Sequence, residues 1–438
     1  MKELNYARPK ATAVASRPVI NRYRANNHSH TANQWIEIEI QTGTPGLHLF
    51  PHDSYLEGIV DVVNGLIQTG NVDGNLYGLF RTLEVVVGGQ VMERIPFCGK
   101  LFHVLNDIQV NDIDRYHQSV SLGGSTTARG AAIAAATTGP VPVITTLAFS
   151  FVLPSAILGS LATKALPLSQ LNNSSVLLRL EVDNVNNWVI NNSGTIDPNA
   201  TLNGTASSVR DVYFNAKCSM LPSDVERDLI ASTGGQILLP AVSYNGELKQ
   251  ISSSTDSFND KFSFQYDSLN AILFWFMPTG GQNVTTHRSQ TGRSNRNMNE
   301  YYLDINGERY PSSGPVGHPT SATLAQSRFI TELRRSFDML GTNESCGILS
   351  SINYKTDNGN VANVAANTEL RSVYGLDLNR FNASQEQMFS GINTRGQQIS
   401  LNCKFSAVAA NTTDHYLYAV AMYDIIYSIS QGLMTARY

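Results

Sequence analysis

The sequence has few charged residues and no long periodic apolar stripes, and these shortages limit its class. Asp, Glu, Lys and Arg account for 15% of the 438 residues, whereas Asn, Ser, Thr and Gly abound. This composition is typical of an all-β protein with many turns. A chain of this length favours two domains of about 200 residues each.

Closely spaced cysteines are also missing. No Cys-x-x-Cys pair occurs, so the sequence specifies neither a zinc knuckle nor a redox motif. The N-terminal residues MKELNYARPK lack the apolar core of a signal peptide. We therefore expect folding in a reducing cytosol or nucleus rather than secretion, with buried and reduced thiols. The cysteines are Cys98, Cys218, Cys346 and Cys403.

One segment, residues 130–163, has no Asp, Glu, Lys or Arg and is long enough in principle to span a bilayer. Pro140, Pro142 and Pro154 interrupt it. Its stretch TTLAFSFVLP alternates as a β-strand does, and an open strand would leave unpaired backbone groups in hydrocarbon. We expect no membrane span here.

Motifs for catalysis are absent as well. The nearest approach to a phosphate-binding loop, GKL at 99–101, lacks the upstream glycine and the Ser or Thr, and GxSxG does not occur. Pro51 separates His48 from His52, so we predict a turn instead of a helical zinc pair. No residue is nominated as catalytic, cofactor-binding or metal-binding, and we predict that the protein is not an enzyme.

Three aspartates, Asp107, Asp112 and Asp114, cluster near the end of a predicted helix. Their carboxylates could recruit calcium, although the spacing matches no known ion loop. Solvated acids and helix caps are the alternative interpretation, and we favour it.

Positive charge is concentrated at the N-terminus. Residues 1–33 have a net charge of +5, so the remainder of a chain whose total is −4 carries −9. We predict a basic arm that contacts nucleic acid or a membrane face. A disordered tail that only aids solubility is the alternative. The candidate inner-surface or assembly contacts in this arm are Lys2, Arg8, Lys10, Arg17, Arg22 and Arg24.

A second basic segment, TGGQNVTTHRSQTGRSNRNMN, contains His287, Arg288, Arg293 and Arg296. It could contact nucleic acid, but it lacks the interleaved aromatic residues on which bases stack. We favour an exposed loop at a subunit contact.

Alternating and continuous apolar runs predict strands through most of the chain. The first is QWIEIEI, in which Ile36, Ile38 and Ile40 share one face, and we expect ordered structure to begin at Gln34. Further strands are predicted at residues 145–153, 176–183, 209–220, 236–244, 261–266, 271–277, 373–378, 399–405 and 416–429.

Two tight hairpins are predicted by residues that accept positive φ between β-rich runs. The first turn is Gly88-Gly89, within FRTLEVVVGGQVMERI. The second is Asn306-Gly307, within YYLDINGERY.

Short helices are predicted at three places. Apolar residues at helical spacing indicate a helix or irregular crossover at 55–68 and a brief helix at 101–110. Ser223 and Glu226 have the spacing of a capping box, with Gly234 as the stop, and indicate a helix that links two halves.

Three landmarks recur in the same order in both halves: an opening strand (Trp35, Gln236), a hairpin turn (Gly88, Asn306) and a late alternating strand (Val176, Ile399). Their separations, on the order of 200 to 225 residues, match one β-sandwich with generous loops. We therefore predict two copies of one architecture. The predicted division is a basic arm at 1–33, a first sandwich at 34–222, a linker helix at 223–234 and a second sandwich at 235–438.

Several passages resemble the double jelly-roll major capsid proteins of large and mid-sized double-stranded DNA viruses, virophages and polinton-like elements. The resemblance spans residues 34–430, and its specificity comes from the order of short motifs. These motifs are FRTLEVVVGGQVMERI, FSFVLPSAILGSLATKALPLSQLNNSSVLLRLEVD, VYFNAKCSMLPSDVERDLIAS, YYLDINGERYP and FSGINTRGQQISLNCKF.

The resemblance implies an all-β fold of two tandem eight-stranded jelly-roll β-sandwiches, with a short linking helix and few other short helices. It further implies a homotrimer that forms a pseudo-hexameric capsomer of an icosahedral shell in the virion. Expected partners are other copies of the chain, penton and minor capsid proteins and, through the N-terminal arm, an internal membrane or packaged DNA. Assembly is expected in the host cytoplasm or nucleus, and the family has no catalytic residues to transfer.

Two alternatives remain open from the sequence. A carbohydrate-binding double β-sandwich would need an aromatic-lined groove or paired acids, whereas Trp35, Trp188 and Trp275 sit in strand-like runs that suit core packing. A single jelly-roll capsid protein of an RNA virus with a projecting domain should not repeat the hairpin order in its second half.

Overall fold

The computed structural model describes residues 16–64, 70–72, 74–109, 132–133, 143–172, 174–191, 206–279, 293–319, 322–337, 339, 372–380, 389–406 and 414–438. Among these residues, no helix is long and apolar enough to span a membrane.

The first half of the chain is built mainly from strands. They are β1 (Arg17–Arg24), β2 (Ser29–Thr31), β3 (Trp35–Ile40), β4 (Leu47–Leu49), β5 (Tyr55–Asn64), β6 (Gly70–Val72), β7 (Phe80–Val87), β8 (Gln90–Pro96), β9 (Ala132–Ile133), β10 (Val143–Phe151), β11 (Leu166–Pro167), β12 (Val176–Val182), β13 (Val189–Asn191) and β14 (Ala206–Met220). Helices α1 (Cys98–Gln109) and α2 (Val185–Trp188) and three 3₁₀ turns (Pro51–Asp53, Leu76–Leu79, Leu168–Gln170) connect them.

Helix α3 (Ser223–Ser232) leads from the first half into the second. The second half contains β15 (Ile237–Ile251), β16 (Ser257–Phe262), β17 (Leu269–Pro278), β18 (Met298–Ile305), β19 (Glu308–Tyr310), β20 (Val316–Gly317), β21 (Tyr374–Asp377), β22 (Ile399–Phe405), β23 (His415–Ser430) and β24 (Leu433–Arg437). Helix α4 (Ala322–Arg335) lies between β20 and β21.

Each half contains two main antiparallel sheets, and their strand orders match between the halves; the first half also has a small third sheet of order β13-β6-β9. In the first half, one sheet runs β10-β5-β14-β1, with β2, β4 and β11 added, and the other runs β3-β12-β7-β8. In the second half the orders are β21-β17-β23-β15, with β24 added, and β16-β22-β18-β19, with β20 added. Taken in chain order, the eight strands β1, β3, β5, β7, β8, β10, β12 and β14 correspond one to one to β15, β16, β17, β18, β19, β21, β22 and β23.

The repeated strand order confirms the predicted architecture of two eight-stranded sandwiches, which we call the first roll and the second roll. It contradicts the alternative of a single jelly roll with an unrelated projecting domain, because that alternative required a second half of different topology. The correspondence also extends to the helices, since α1 follows β8 and α4 follows β19 and β20.

The predicted start of ordered structure at Gln34 was wrong, because Arg17–Arg24 pairs along its whole length with residues 213–220 of β14. The first roll therefore begins inside the segment predicted as a basic arm, and the arm boundary at residue 33 is corrected. The correspondence between the opening strands of the two halves changes as well. The strand of Trp35 was matched with the strand at Gln236, but it corresponds to β16, and the counterpart of β15 is β1.

The helix or crossover predicted at 55–68 was also wrong over its described part. Residues 55–64 form β5, which lies between β10 and β14. Leu56, Val60 and Val62 point into the core. Apolar residues at this spacing are compatible with either a helix or a strand. The segment forms a strand because β10 and β14, on its two sides, supply hydrogen-bond partners for its backbone N–H and C=O groups.

Both hairpins were predicted correctly. β7 pairs with β8 through Gly88 and Gly89, whose φ angles are 59° and 80°. β18 pairs with β19 through Asn306 and Gly307, whose φ angles are 52° and 89°. Positive φ at both turn positions matches the right-handed twist of the flanking strands, which explains why these residue types mark the turns.

Each roll has an apolar core between its sheets. Ile36, Ile38 and Ile40 of β3 are fully buried in the first roll, as the alternation predicted. Aromatic rings fill the second roll, where Phe274 stacks on Tyr374 at 5.1 Å between ring centroids and meets Tyr301 edge-on at 5.0 Å. Burial of each such side chain contributes about 1.5–3 kcal/mol.

Candidate assembly surfaces and the interface between the rolls

The contact between the rolls is built around a buried carboxylate, Glu93 of β8. It accepts hydrogen bonds from Ser155 Oγ at 2.5 Å and Ala156 N at 2.8 Å, both in the first roll. It also accepts one from Ser243 Oγ of β15 at 2.9 Å, which crosses to the second roll. Burial raises the pKa of Glu93, and these hydrogen bonds oppose that shift.

A second tie is the ion pair of Asp107 in α1 with Arg293, which precedes β18. The two side chains are 1% and 0% exposed. Charges so far from water are tolerated only when they are paired, because removal of one partner leaves an uncompensated buried charge. The pair therefore fixes α1 against the second roll.

Aromatic packing completes the interface. Phe97, which directly follows β8, meets the ring of Tyr418 edge-on at 5.2 Å, and Lys100 Nζ lies 5.7 Å from the centre of the same ring. Tyr418 in turn stacks on Trp275 at 5.6 Å. Two further contacts extend the interface: Ala162 forms an antiparallel bridge with Ala241 of β15, and the Thr163 hydroxyl donates a hydrogen bond to the carbonyl oxygen of Pro240.

The linker helix α3 is held to the first roll by Glu226. Its carboxylate accepts from Gly46 N at 2.9 Å, Gln170 Nε2 at 3.0 Å and Ser169 Oγ. The predicted capping box was wrong, because Pro222 occupies the cap position and no side chain caps the helix there. Glu226 instead joins the helix to the first roll by hydrogen bonds, a role that its spacing from Ser223 does not predict. Gly234 follows the helix with a φ of 68°, as its predicted role as a stop requires.

The outward face of the β10-β5-β14-β1 sheet, which we call the outer face of the first roll, carries paired charges. Arg22 contacts Glu57 at 2.5 Å and lies over the ring of Tyr213 at 3.7 Å. Arg210 contacts Asp61 at 2.5 Å, and its hydrogen bond is the main reason why the pKa of Asp61 is lowered.

The residues predicted as contacts of a basic arm are divided by the structure. Arg17, Arg22 and Arg24 belong to β1, where their side chains are exposed, and so they lie in the first roll instead of a free arm. Lys2 and the other two candidates, Arg8 and Lys10, lie outside the described residues.

The second basic segment does not form the exposed loop that was predicted, at least where it is described. Arg293 and Arg296 are both buried. Arg296 donates to the carbonyls of Ser252 and Thr255 and packs over Phe405 at 4.6 Å. Burial lowers the pKa of Arg296 to about 10. His287 and Arg288 of this segment lie outside the described residues.

No group of three metal-ligating side chains occurs among the residues that the structure places. His48 is buried, and its Nδ1 lies 3.1 Å from the carbonyl oxygen of Gly46, whereas His52 is exposed. Asp107 is engaged with Arg293, and Asp112 and Asp114 are outside the described part.

The described cysteines, Cys98, Cys218 and Cys403, are buried and free, as predicted. Burial raises the pKa of the Cys218 thiol to about 11, which suits an inert packing residue. The fourth, Cys346, lies outside the described residues. Core packing was predicted for all three tryptophans. Trp188 and Trp275 are fully buried, Trp275 behind Tyr418 at the interface between the rolls. Trp35 is half-buried and lies beneath Arg179 at 4.6 Å, so for this residue the prediction was wrong.

Comparison with known proteins gives matches in structure alone: no family model and no curated protein matches the chain. A chain of the Sputnik virophage shares 12% identity at a TM-score of 0.62, over 99% of this chain and 91% of its own. VP54 of PBCV-1, fitted into a reconstruction of Sputnik, shares 14% identity at a TM-score of 0.58, over 98% of this chain and 99% of its own. The mavirus major capsid protein shares 9% identity at a TM-score of 0.55, over 98% of this chain and 93% of its own.

The chain has the double jelly-roll fold. Matches that cover nearly the whole of both chains require both sandwiches to superpose together, which a single jelly roll could not provide. The solved structures that share this double jelly roll include viral major capsid proteins, among them those of mavirus and Faustovirus. At identities of 9–14% the likeness concerns the fold.

Proposed function

We propose that the chain is a viral major capsid protein, in which three copies form a pseudo-hexameric capsomer of an icosahedral shell. The observation that carries the proposal is the repetition of one eight-strand topology in a single chain. Two similar rolls per chain let three chains present six similar units around an axis, and a heterologous contact that repeats around a ring closes it. Proteins of this fold that serve as major capsid proteins support the assignment.

The inter-roll contacts support a structural role. Glu93, the Asp107–Arg293 pair and the Phe97–Tyr418 contact join the rolls through buried groups. Such an interface holds the two rolls in a fixed relation, which a closed ring needs. In this role the chain acts through its surfaces and has no catalytic function.

The mass of the purified protein in solution tests the proposal. We expect a stable species of three times the 47.8 kDa of one chain, measured by analytical ultracentrifugation or native mass spectrometry. A protein that remains monomeric at micromolar concentration and binds glycans on an array would contradict it and favour the carbohydrate-binding alternative.

Residues 1–15, with Lys2, Arg8 and Lys10, are proposed as the assembly arm at the inner surface of the shell. Their positive charge would meet packaged DNA or an anionic internal membrane, and they would help capsomers contact their neighbours, penton proteins and minor capsid proteins.

The arm is tested by deletion of residues 1–15. A larger deletion to residue 30 is unsuitable because it would remove β1 from the first roll. We expect trimers of normal thermal stability that assemble shells poorly and bind double-stranded DNA or anionic vesicles less than the full chain does. Normal shells from the deletion variant would refute the role of the arm, and the two binding measurements separate a DNA partner from a membrane partner.

A further inference from the structure

The contact between the rolls contains a buried carboxylate that has no counter-charge. Glu93 is 2% exposed, and its hydrogen-bond donors are uncharged serine hydroxyls and backbone N–H groups. No Arg, Lys or His within the described ranges forms an ion pair with it. In contrast, Asp107 of the same contact is paired with Arg293. Hydrogen bonds alone therefore offset the cost of a buried charge on Glu93.

The donors to Glu93 are divided unequally between the rolls. Ser155 and Ala156 belong to the segment that follows β10, in the first roll. The oxygen of Ser155 accepts hydrogen bonds from two backbone N–H groups of that segment, at 3.2 Å and 3.0 Å, so its own hydrogen points to Glu93. Only Ser243 donates from the second roll. If the rolls separate, Glu93 keeps the donors of its own roll and loses Ser243.

Separation of the rolls would therefore change the cost of ionising Glu93. In the closed contact the carboxylate is shielded from water, and this burial is the largest influence on the pKa of Glu93 and raises it against the opposing hydrogen bonds. In an open contact, water replaces Ser243 and solvates the carboxylate. The pKa of Glu93 is thus higher in the closed state than in the open state, so acid favours the closed contact and rising pH weakens it.

The groups that face Glu93 from the other elements do not titrate in the same range. Tyr423 and Tyr427 of β23 feel its charge, and burial raises the pKa of both hydroxyls. Tyr423 is hydrogen-bonded to Ser243, whereas the buried hydroxyl of Tyr427 has no hydrogen-bond partner. The segment after β10 contributes only serine and apolar side chains at residues 155–158. Glu93 is therefore the group whose protonation responds to pH at this point of the contact.

We propose that Glu93 acts as a proton-dependent switch in the contact between the rolls. With Glu93 neutral, β8 stays docked on β15. When Glu93 loses its proton to the solvent, its charge favours hydration and the contact loosens. The inference goes beyond the proposed capsid role, and because it concerns a single chain it can be tested whether or not the chains form trimers.

Hydrogen exchange of the full-length protein, followed by mass spectrometry between about pH 5 and about pH 9, tests the switch. Wild type is compared with Glu93→Gln, which keeps the size of the side chain and cannot ionise. The intrinsic chemistry of exchange changes with pH equally in both proteins, so the ratio of their exchange rates isolates opening of the contact. The segment to follow is β15, and β22 in the other sheet of the second roll is the matched control segment.

We expect the ratio of wild type to Glu93→Gln for β15 to rise with pH, starting above the ordinary pKa of 4.5, by up to about tenfold per pH unit until the raised pKa is reached. The ratio for β22 should stay constant. A ratio for β15 that does not change over this range would overturn the inference, and so would an equal rise in β22, because that result would indicate opening of the whole roll.

A second variant keeps the test decisive if Glu93→Gln misfolds. Ser243→Ala retains the carboxyl group and removes only the donor from the second roll. Because that hydrogen bond favours the ionised form, its loss should raise the pKa of Glu93 in the closed contact further. Exchange of β15 in Ser243→Ala, divided by that of β22 in the same protein, should therefore keep rising to a higher pH than in wild type. Identical pH profiles of the two proteins would contradict the switch.

Discussion

Replacing Asp107 by Asn removes the negative charge that faces Arg293 while it keeps the size of the side chain. The guanidinium of Arg293 is 0% exposed and would remain in place without its counter-charge. Breaking a buried pair in this way costs about 3–5 kcal/mol. Because Asp107 belongs to the first roll and Arg293 to the second, the loss should fall on the contact between the rolls.

Urea unfolding followed by tryptophan fluorescence measures the effect. With a slope of about 3 kcal/mol per molar urea, the transition of Asp107→Asn should move to lower urea by about 1 M or more. The control Asp228→Asn, at a side chain that is 78% exposed, should stay within about 0.5 kcal/mol of wild type. In the double variant Asp107→Leu/Arg293→Met both charges are absent, so much of the loss should be recovered.

Unfolding of Asp107→Asn at the same urea concentration as Asp228→Asn would refute the prediction. A double variant as destabilised as the sum of Asp107→Leu alone and Arg293→Met alone would also refute it, because that result would show no coupling between Asp107 and Arg293.

Two further predictions concern the buried carboxylate Glu93 and the packing around Gly159 in the first roll. Burial raises the pKa of Glu93 above its ordinary value of 4.5. The stabilising contribution of Glu93 is therefore full below pH 4.5 and is lost as the pH rises through the raised pKa of the folded protein. The free energy of unfolding of wild type, relative to that of Glu93→Gln, should fall with rising pH by up to about 1.4 kcal/mol per pH unit, and parallel pH profiles of the two proteins would contradict this. Gly159→Ala should destabilise the folded protein by about 1–3 kcal/mol, because a Cβ on residue 159 would lie 1.7 Å from the carbonyl oxygen of Leu153. An unchanged melting temperature in thermal unfolding would contradict the packing described around Gly159.

Much of the fold could be predicted from the sequence because strand alternation and turn residues are local signals. Ile399–Phe405 was predicted with its observed limits, and the Asn306-Gly307 turn with its hairpin. Both patterns depend only on neighbouring residues, and tertiary contacts reinforce them.

The strands that were missed depend on partners far away in the chain. Arg17–Arg24 contains Pro18 and three arginines, so its local sequence indicates a polar extension, and only the free edge of β14 makes it a strand. Residues 55–64 suit a helix or a strand until β10 and β14 occupy both sides.

The functional surfaces were predicted less well than the fold. The basic residues Arg293 and Arg296 were expected on a loop at a subunit contact, because charged side chains are rarely buried. Burial of Arg293 requires the partner Asp107, which is 186 residues away, and no local pattern identifies such a pair. Ile20 and Ile144 are ordinary strand residues in the sequence, and only the sheet register shows that they face outward together.

The most direct test of two equivalent rolls per chain is electron cryomicroscopy of the purified protein. The predicted result is a class average with six lobes of similar size around a threefold axis, two lobes from each chain. Averages that show a single two-lobed monomer, or a ring whose symmetry is not threefold, would contradict the account.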